Sequence, residues 1–388
     1  MLAIGLIFGV VAWLGLVQGW GPEWVRRQGW LIEPPPLMPE SPPPARSSEP
    51  TPAPPPPASN SPVTPEPEAA APATPATGGP AGGRVRAPGL DYVPPAPAMV
   101  AGYPRPVRDV LEAQLVLIRH GFSPGPIDGL FGEQTAAALA AFQEKSGLPV
   151  TGRLDADTRA RLLIEAPALG TYVVTSDDVA RLTPISPTWL GKSQQERLDY
   201  ETLLELIAEK HRASQRFVER LNPEIDWQRL GPGDTVQVPR RVDPTNNTPV
   251  AALRILLHQR RLLAYDAAGR LMASLPCSIA RRVEKRPVGR LEVQVVIPNP
   301  NYTFDPAIYP ESAEGRRLGR RLVVPPGPNN PVGLAWIGLS RPGYGIHGTP
   351  VPENVGRTES HGCFRLANWD VVWLSRLVRP GIPVDIEP

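Results

Sequence analysis

Cysteine is nearly absent from this chain, with two residues in 388. Two thiols cannot build a disulfide scaffold, so the ordered parts must rest on apolar burial. Histidine is scarce as well, at five, and the net charge of +2 gives no electrostatic case for a nucleic-acid partner. Long apolar runs are missing except at the start, where residues 2–17 carry no charge. A membrane span needs about 20 apolar residues, with roughly 17 as the lower limit. No basic residue precedes this run, and Arg26 and Arg27 follow it, an order that runs mildly against the positive-inside bias. Nothing after it offers a core for it to join, so residues 1–20 are read as a signal peptide or an uncleaved membrane anchor.

Proline is what the chain has in excess, at 53 residues, and 23 of them fall between positions 34 and 98 among Ala, Ser, Thr and Glu. Such a stretch cannot bury enough apolar surface to offset its ordering entropy, so a disordered linker is expected over 34–98. Its reach lies between about 45 Å as a flexible coil and roughly 200 Å as polyproline II. That suits a tether for modules further along.

Three ordered modules are expected after it. In 105–165, Val107, Val110, Leu111, Gln114, Leu115 and Ile118 follow helical spacing up to Gly121. A glycine-rich turn over 124–132 precedes a helix carrying Thr135, Ala138, Leu139 and Phe142, and Asp155 to Leu163 makes a third. In 170–240 the order is strand, helix, helix, strand. Tyr172–Val174 opens it, Tyr200, Leu203, Leu204, Ile207, Ala208 and His211 mark one apolar helix face, and Thr235–Val238 returns. His211 reads there as a packed or capping residue. From 248 to 388 the pattern is of short apolar runs between turns, which predicts a mainly β sandwich or barrel with one evident helix from Trp369 to Leu377. His258 sits at a strand edge beside Gln259 and Arg260, as a solvated turn residue would.

Two of the five histidines, His347 and His361, fall within sixteen positions of Cys363. A thiol beside Gly362, with two imidazoles and Arg365 nearby, holds the parts of a nucleophilic acyl-transfer site. The thiolate attacks, and it forms near neutral pH only beside a cation or base. Gly362 lets backbone approach a substrate and leaves amides free for an oxyanion. Cys277, at the end of an apolar run, reads as a buried thiol.

Ile346-His347-Gly348-Thr349, then Ser360-His361-Gly362-Cys363-Phe364-Arg365-Leu366-Ala367-Asn368, resembles the active-site signature of L,D-transpeptidases, and the likeness extends to Pro325–Pro331. Those enzymes remake peptide cross-links in the bacterial wall through a cysteine. Where that family usually carries Thr-Pro-x-Gly, this chain has Arg286-Pro287-Val288-Gly289. Ile127-Asp128-Gly129-Leu130-Phe131-Gly132 and Gly147–Gly152 are similar to a peptidoglycan-binding domain. The 170–240 module resembles a LysM glycan-binding module, although residues 177–198 are longer than that module needs.

The resemblance implies these roles. Cys363 is the nucleophile and His347 its base, paired as thiolate and imidazolium once the ring stands within about 3 Å of the sulfur. A carbonyl at or next to Gly348 fixes the tautomer of His347, and the Gly362 and Cys363 amides form the oxyanion hole. His361 and Ser360 support that loop. Read from the residues themselves, Arg365 offers a planar fork to a substrate carboxylate or else a structural salt bridge; Tyr344, Trp336 and Tyr302 line the substrate groove or pack as aromatic core, and Asn368 joins the substrate-binding set. No cofactor or metal is needed, because one amide is exchanged for another. The expected partners are stem peptides and glycan of peptidoglycan, and the membrane through residues 1–20 if they are uncleaved; the expected location is the cell envelope or periplasm. Water or a lipoprotein lysine as acceptor, a non-catalytic wall binder, and zinc held by His347, His361 and Cys363 are the competing readings.

Overall fold

The computed structural model describes residues 100–309, 311–358, 360 and 362–388. The apolar start, the proline-rich stretch and His361 lie outside the described residues.

The first module is closed by a short strand pair, β1 (Arg105–Pro106) against β2 (Leu163–Ile164). Between them Asp109 accepts the Glu112 N–H at 2.9 Å and starts the helix Val110–Arg119. Helices Glu133–Lys145 and Ala156–Arg161 follow, the latter capped by Asp155. Leu117, Leu139 and Phe122 are buried at their centre. In the second module β3 (Leu169–Val173) pairs antiparallel with β4 (Thr235–Pro239), Tyr172 opposite Val236. Four helices lie between these strands: Ser176–Ala180, Trp189–Ser193, Leu203–Lys210 and Gln215–Leu221. His211 caps the third, and its Nδ1 donates to the Pro239 carbonyl at 2.8 Å.

The rest is mainly β, as its alternating pattern predicts. Strands β5 (Ala252–Leu256), β6 (Arg261–Tyr265), β7 (Leu271–Pro276), β8 (Gly289–Pro298), β9 (Tyr302–Phe304), β10 (Leu322–Val324), β11 (Ala335–Leu339), β12 (Gly345–His347), β13 (Phe364–Arg365) and β14 (Pro383–Glu387) follow in order. Eight of them form one sheet, β13-β12-β11-β8-β14-β5-β6-β7, while β9 and β10 pair separately. Its end strands are brought together just past β7, where Ser278 and Arg365 of β13 exchange backbone hydrogen bonds of 2.9 and 3.0 Å, so the sheet curls back on itself. Its halves meet on different stretches of β8: residues 289–292 pair with β14, and residues 293–298 with β11. The buried helix Asn368–Ser375 packs on β11. A second, short helix, Ala313–Leu318, lies between β9 and β10 and escaped the sequence pattern because its six residues hold few apolar side chains.

The modules are joined by backbone and charge. Residues 121–123 run beside the open edge strand β7: Ser123 N–H donates to Ser274 O at 2.9 Å, and Ser274 N–H to Gly121 O at 3.1 Å. An edge covered this way cannot recruit another chain. Gly121 is required there, since it has φ +88° and a Cβ would meet the Met272 carbonyl at 2.6 Å. Behind this contact sits Asp370, which accepts the Ser123 hydroxyl at 2.8 Å and lies 3.6 Å from Arg212 of the second module. Arg261 of β6 donates to the carbonyls of Ser123 and Ser274 and lies within the field of Asp370. Burial pushes the Asp370 carboxyl up, and Arg212 and Arg261 pull it back. Burial brings the Arg261 guanidinium down to about 10, against Asp370.

Asp370→Ala removes the buried carboxylate whose field Arg261 and Arg212 share, leaving Arg212 with Asp243 and Arg261 with neutral acceptors only, a class of change that costs about 3–5 kcal/mol. Urea unfolding of the full chain measures this, and a loss below about 1 kcal/mol would show that the hub contributes little.

Candidate active site

Three adjacent strands carry the site. On β11, β12 and β13, Trp336 stands opposite His347, and His347 opposite Arg365. Paired positions share a face of the sheet, so indole, imidazole and guanidinium form one row. The Trp336 and His347 rings stack at 5.6 Å and 19°. The next row holds Gly338 opposite Gly345, with Cys363 level with Gly345 because Phe364 pairs with Ile346. Strand spacing and rise put the Cα atoms of residues 347 and 363 roughly 8 Å apart, within side-chain reach. Phe364 and Ile346 turn to the opposite face and are buried. Gly345 keeps the row open: a Cβ there would stand 2.5 Å from the Trp336 indole.

His347 is buried, and its Nδ1 donates to the Gly348 carbonyl at 2.7 Å. That bond puts the proton on Nδ1 and leaves the Nε2 lone pair as acceptor. Burial brings the imidazole down to about 4, with Arg365 lowering it further against the carbonyl. Cys363 is half-buried, and its Sγ–H donates to Gly343 O at 3.4 Å. Burial pushes this thiol up to about 11, against the Gly345 amide and the Arg365 charge, both of which favour the thiolate. Burial thus favours the uncharged form of each group in the empty site, against the thiolate–imidazolium pair that the sequence leads one to expect.

Ser360 ties the loop: its hydroxyl donates to Cys363 O at 2.6 Å and accepts the Gly362 N–H at 3.3 Å. Its own backbone bridges to Ile279 and Arg281. Arg365 is half-buried, and its charge lies near both Cys277 and Cys363. Tyr344 packs partly on the core with Arg341 above its ring at 4.7 Å. Cys277 is a free thiol at 0% exposure, pushed up to about 12 by burial. Among the described residues no group of three or more His, Cys, Asp or Glu is placed to hold a metal; His361 is outside them.

Asn368 is a second correction. It is 0% exposed and cannot meet a substrate. Its Oδ1 accepts the N–H groups of Leu334 at 3.1 Å and Thr349 at 3.2 Å, and its Nδ2 donates to Pro328 O and to Glu209. It holds the turn that holds His347. Sequence reasoning missed Glu209, whose Oε1 lies 3.0 Å from that amide, since nothing in a helical apolar face marks a contact 159 residues away. It also missed Tyr309, which accepts the Tyr302 hydroxyl at 2.8 Å, and Gly345. The run Gly343-Tyr344-Gly345 directly before Ile346-His347 was the available signal for the last.

Two family models match the chain: the L,D-transpeptidase catalytic domain over residues 251–386, and the "Putative peptidoglycan binding domain" over residues 107–162. The "Putative L,D-transpeptidase YkuD" of Bacillus licheniformis is 28% identical over 185 residues, covering 48% of this chain and 93% of that protein. The "Probable L,D-transpeptidase YbiS" of Escherichia coli is 29% identical over 184 residues, 47% of this chain and 58% of that protein. The solved L,D-transpeptidase 3 from Mycobacterium tuberculosis, with a faropenem-derived adduct, aligns at 20% identity and a TM-score of 0.28, over 41% of this chain and 76% of that one.

If the resting thiol is neutral, iodoacetamide alkylation of the Cys363 peptide will climb with pH towards about 11, without a plateau near neutrality. A plateau below about pH 8 would restore the ion pair. A second expectation concerns Glu209, which burial pushes up to about 8 from an ordinary 4.5, against the Asn368 amide. A carboxyl raised in the folded state contributes stability below about 4.5 that is lost as pH rises through about 8. Urea midpoints should therefore fall more steeply from pH 5 to pH 8 in the parent than in Glu209→Gln; parallel curves would contradict the assignment.

Proposed function

From a chain whose residues 251–386 form an L,D-transpeptidase catalytic domain, we propose a cysteine acyl-enzyme cycle on peptidoglycan stem peptides, with Cys363 as nucleophile and His347 as its base. The observation that carries this reading is the Nδ1 bond of His347 to Gly348, which commits Nε2 to accepting a proton. The sulfur attacks the carbonyl of the third stem residue while its proton passes to Nε2. The oxyanion is met by backbone amides at 362–363, where the Gly362 N–H has only a long bond to Ser360 to give up. Collapse breaks the amide, and the departing terminal D-Ala takes the proton from His347. An amine on a neighbouring stem then attacks the thioester, His347 takes its proton, and Cys363 leaves and is reprotonated. One amide is consumed and one formed, giving a 3→3 cross-link without ATP.

Arg365 lies beside the sulfur and suits a stem carboxylate. The domain at 107–162 supports a wall location in the cell envelope. Among the described residues no helix is long and apolar enough to cross a membrane, and residues 1–20 are not among them. The antiparallel pair β3–β4 with helices Leu203–Lys210 and Gln215–Leu221 between them supports a LysM-like glycan contact, the two shorter helices Ser176–Ala180 and Trp189–Ser193 being additions to the strand–helix–helix–strand order expected.

Incubation with a disaccharide-tetrapeptide, followed by mass spectrometry, tests the cycle. The parent should give cross-linked dimer and a thioester mass on Cys363, and Cys363→Ala neither. Tripeptide without dimer would make water the acceptor and the enzyme an L,D-carboxypeptidase. No product and no adduct would leave a wall-binding protein.

A further inference from the structure

Residues 177–198 exceed what their module needs, and the structure gives the excess a partner. The β9–β10 excursion, residues 302–324, leaves the sheet directly after β8, whose last residues pair with Ala335 and Trp336 beside His347. Trp189 stacks on Phe304 of this excursion at 4.4 Å and 12°, and its ring lies 5.9 Å from that of Tyr302. Glu314, on the short helix of the excursion, accepts the backbone N–H groups of Trp189 and Leu190, each at 2.9 Å. The same segment grips the root: Leu198 N–H donates to Pro326 O at 3.0 Å, and Asn329 N–H to Leu198 O at 3.0 Å. Gly327 passes so close that a Cβ would sit 2.1 Å from Leu198 O.

We propose that the 184–199 segment of the second module sets the position of the β9–β10 excursion as a wall of the donor site, with Trp189 as its anchoring, positioning residue. The excursion is held at its tip by an aromatic stack and an acid–amide clasp, and at its root by a backbone ladder, so it cannot shift relative to the second module without breaking one of them. What it carries faces the chemistry. Tyr302 follows β8, whose Ile297 pairs with the Trp336 that stacks on His347, and its hydroxyl donates to Tyr309 at 2.8 Å; burial pushes both phenols up, and Cys363 is near enough for its charge to raise them further. A loosened wall would leave the reacting groups intact and weaken the hold on the peptide. This rests on the transpeptidase reading for its substrate, though not for its geometry.

The test uses the full chain with Trp189→Ala, Trp189→Phe and Glu314→Ala. An aromatic pair contributes enough to expect Trp189→Ala to raise the KM for disaccharide-tetrapeptide about three- to tenfold, with kcat within about twofold. Alkylation of Cys363 by iodoacetamide at fixed pH should speed up by a similar factor. Trp189→Phe should recover most of both, and Glu314→Ala should move both in the same direction by less. Unchanged KM and alkylation in Trp189→Ala would overturn the proposal, as would a kcat loss matching a loss of folded protein. If Trp189→Ala does not fold, Glu314→Ala decides by the same two readouts. A parent with no turnover would refute the transpeptidase reading alone, because alkylation still reports the wall.

Discussion

The bond from His347 Nδ1 to the Gly348 carbonyl, 2.7 Å long, is the constraint that the site depends on. It fixes which imidazole nitrogen can take a proton, and it works only if the 348–349 turn stays still. That turn is wedged. Gly348 N–H donates to Val332 O at 3.0 Å, and the Asn368 amide fills the gap between residues 333, 334, 348 and 349. The wedge demands glycine on both sides: a Cβ would sit 2.0 Å from Asn368 Oδ1 at Gly333 and 2.2 Å at Gly348. Asn368 is in turn satisfied by Glu209, a residue of the second module. The His347 ring is therefore oriented by a chain of contacts that ends outside the 251–386 domain.

This makes the accessory modules parts of the enzyme's frame. An isolated 248–388 fragment would expose the β7 edge that residues 121–123 cover, and would leave Asp370 without Ser123 and Arg212. Both are costly, one as an aggregation surface and the other as a buried carboxyl losing partners. The peptidoglycan-binding domain and the thiol consequently keep one fixed geometry within the described residues.

The sequence made the site's chemistry legible because Cys363, His347 and their glycines are local, and each spacing has one backbone solution. Helix faces such as Leu203, Ile207 and Ala208 were legible for the same reason. Three things were not. The role of Asn368 needs its burial, which a motif does not carry. Asp370 meets Ser123 across 247 positions, and no periodicity encodes such a contact. How far burial raises the Cys363 thiol depends on how much water the fold removes, which the flanking residues do not encode. The surplus at 177–198 was visible as surplus; its partner was not, since Trp189 and Phe304 find each other only in the folded chain.

The neutral thiol and neutral imidazole have one cause, since the burial that lowers His347 also raises Cys363. Burial opposes charge separation between them in the empty site, and on the proposed cycle the loop amides offset that cost by meeting the oxyanion as the sulfur adds to the carbonyl. Reactivity is thereby tied to occupancy. A permanent thiolate at a half-buried position would alkylate and oxidise readily. A thiol that ionises only against bound peptide keeps its electrons until there is a carbonyl to attack, and the same desolvation then strengthens every donor aimed at the transition state. On this view the wall made by residues 302–324 matters less as a cover than as the surface that makes occupancy and ionisation the same event.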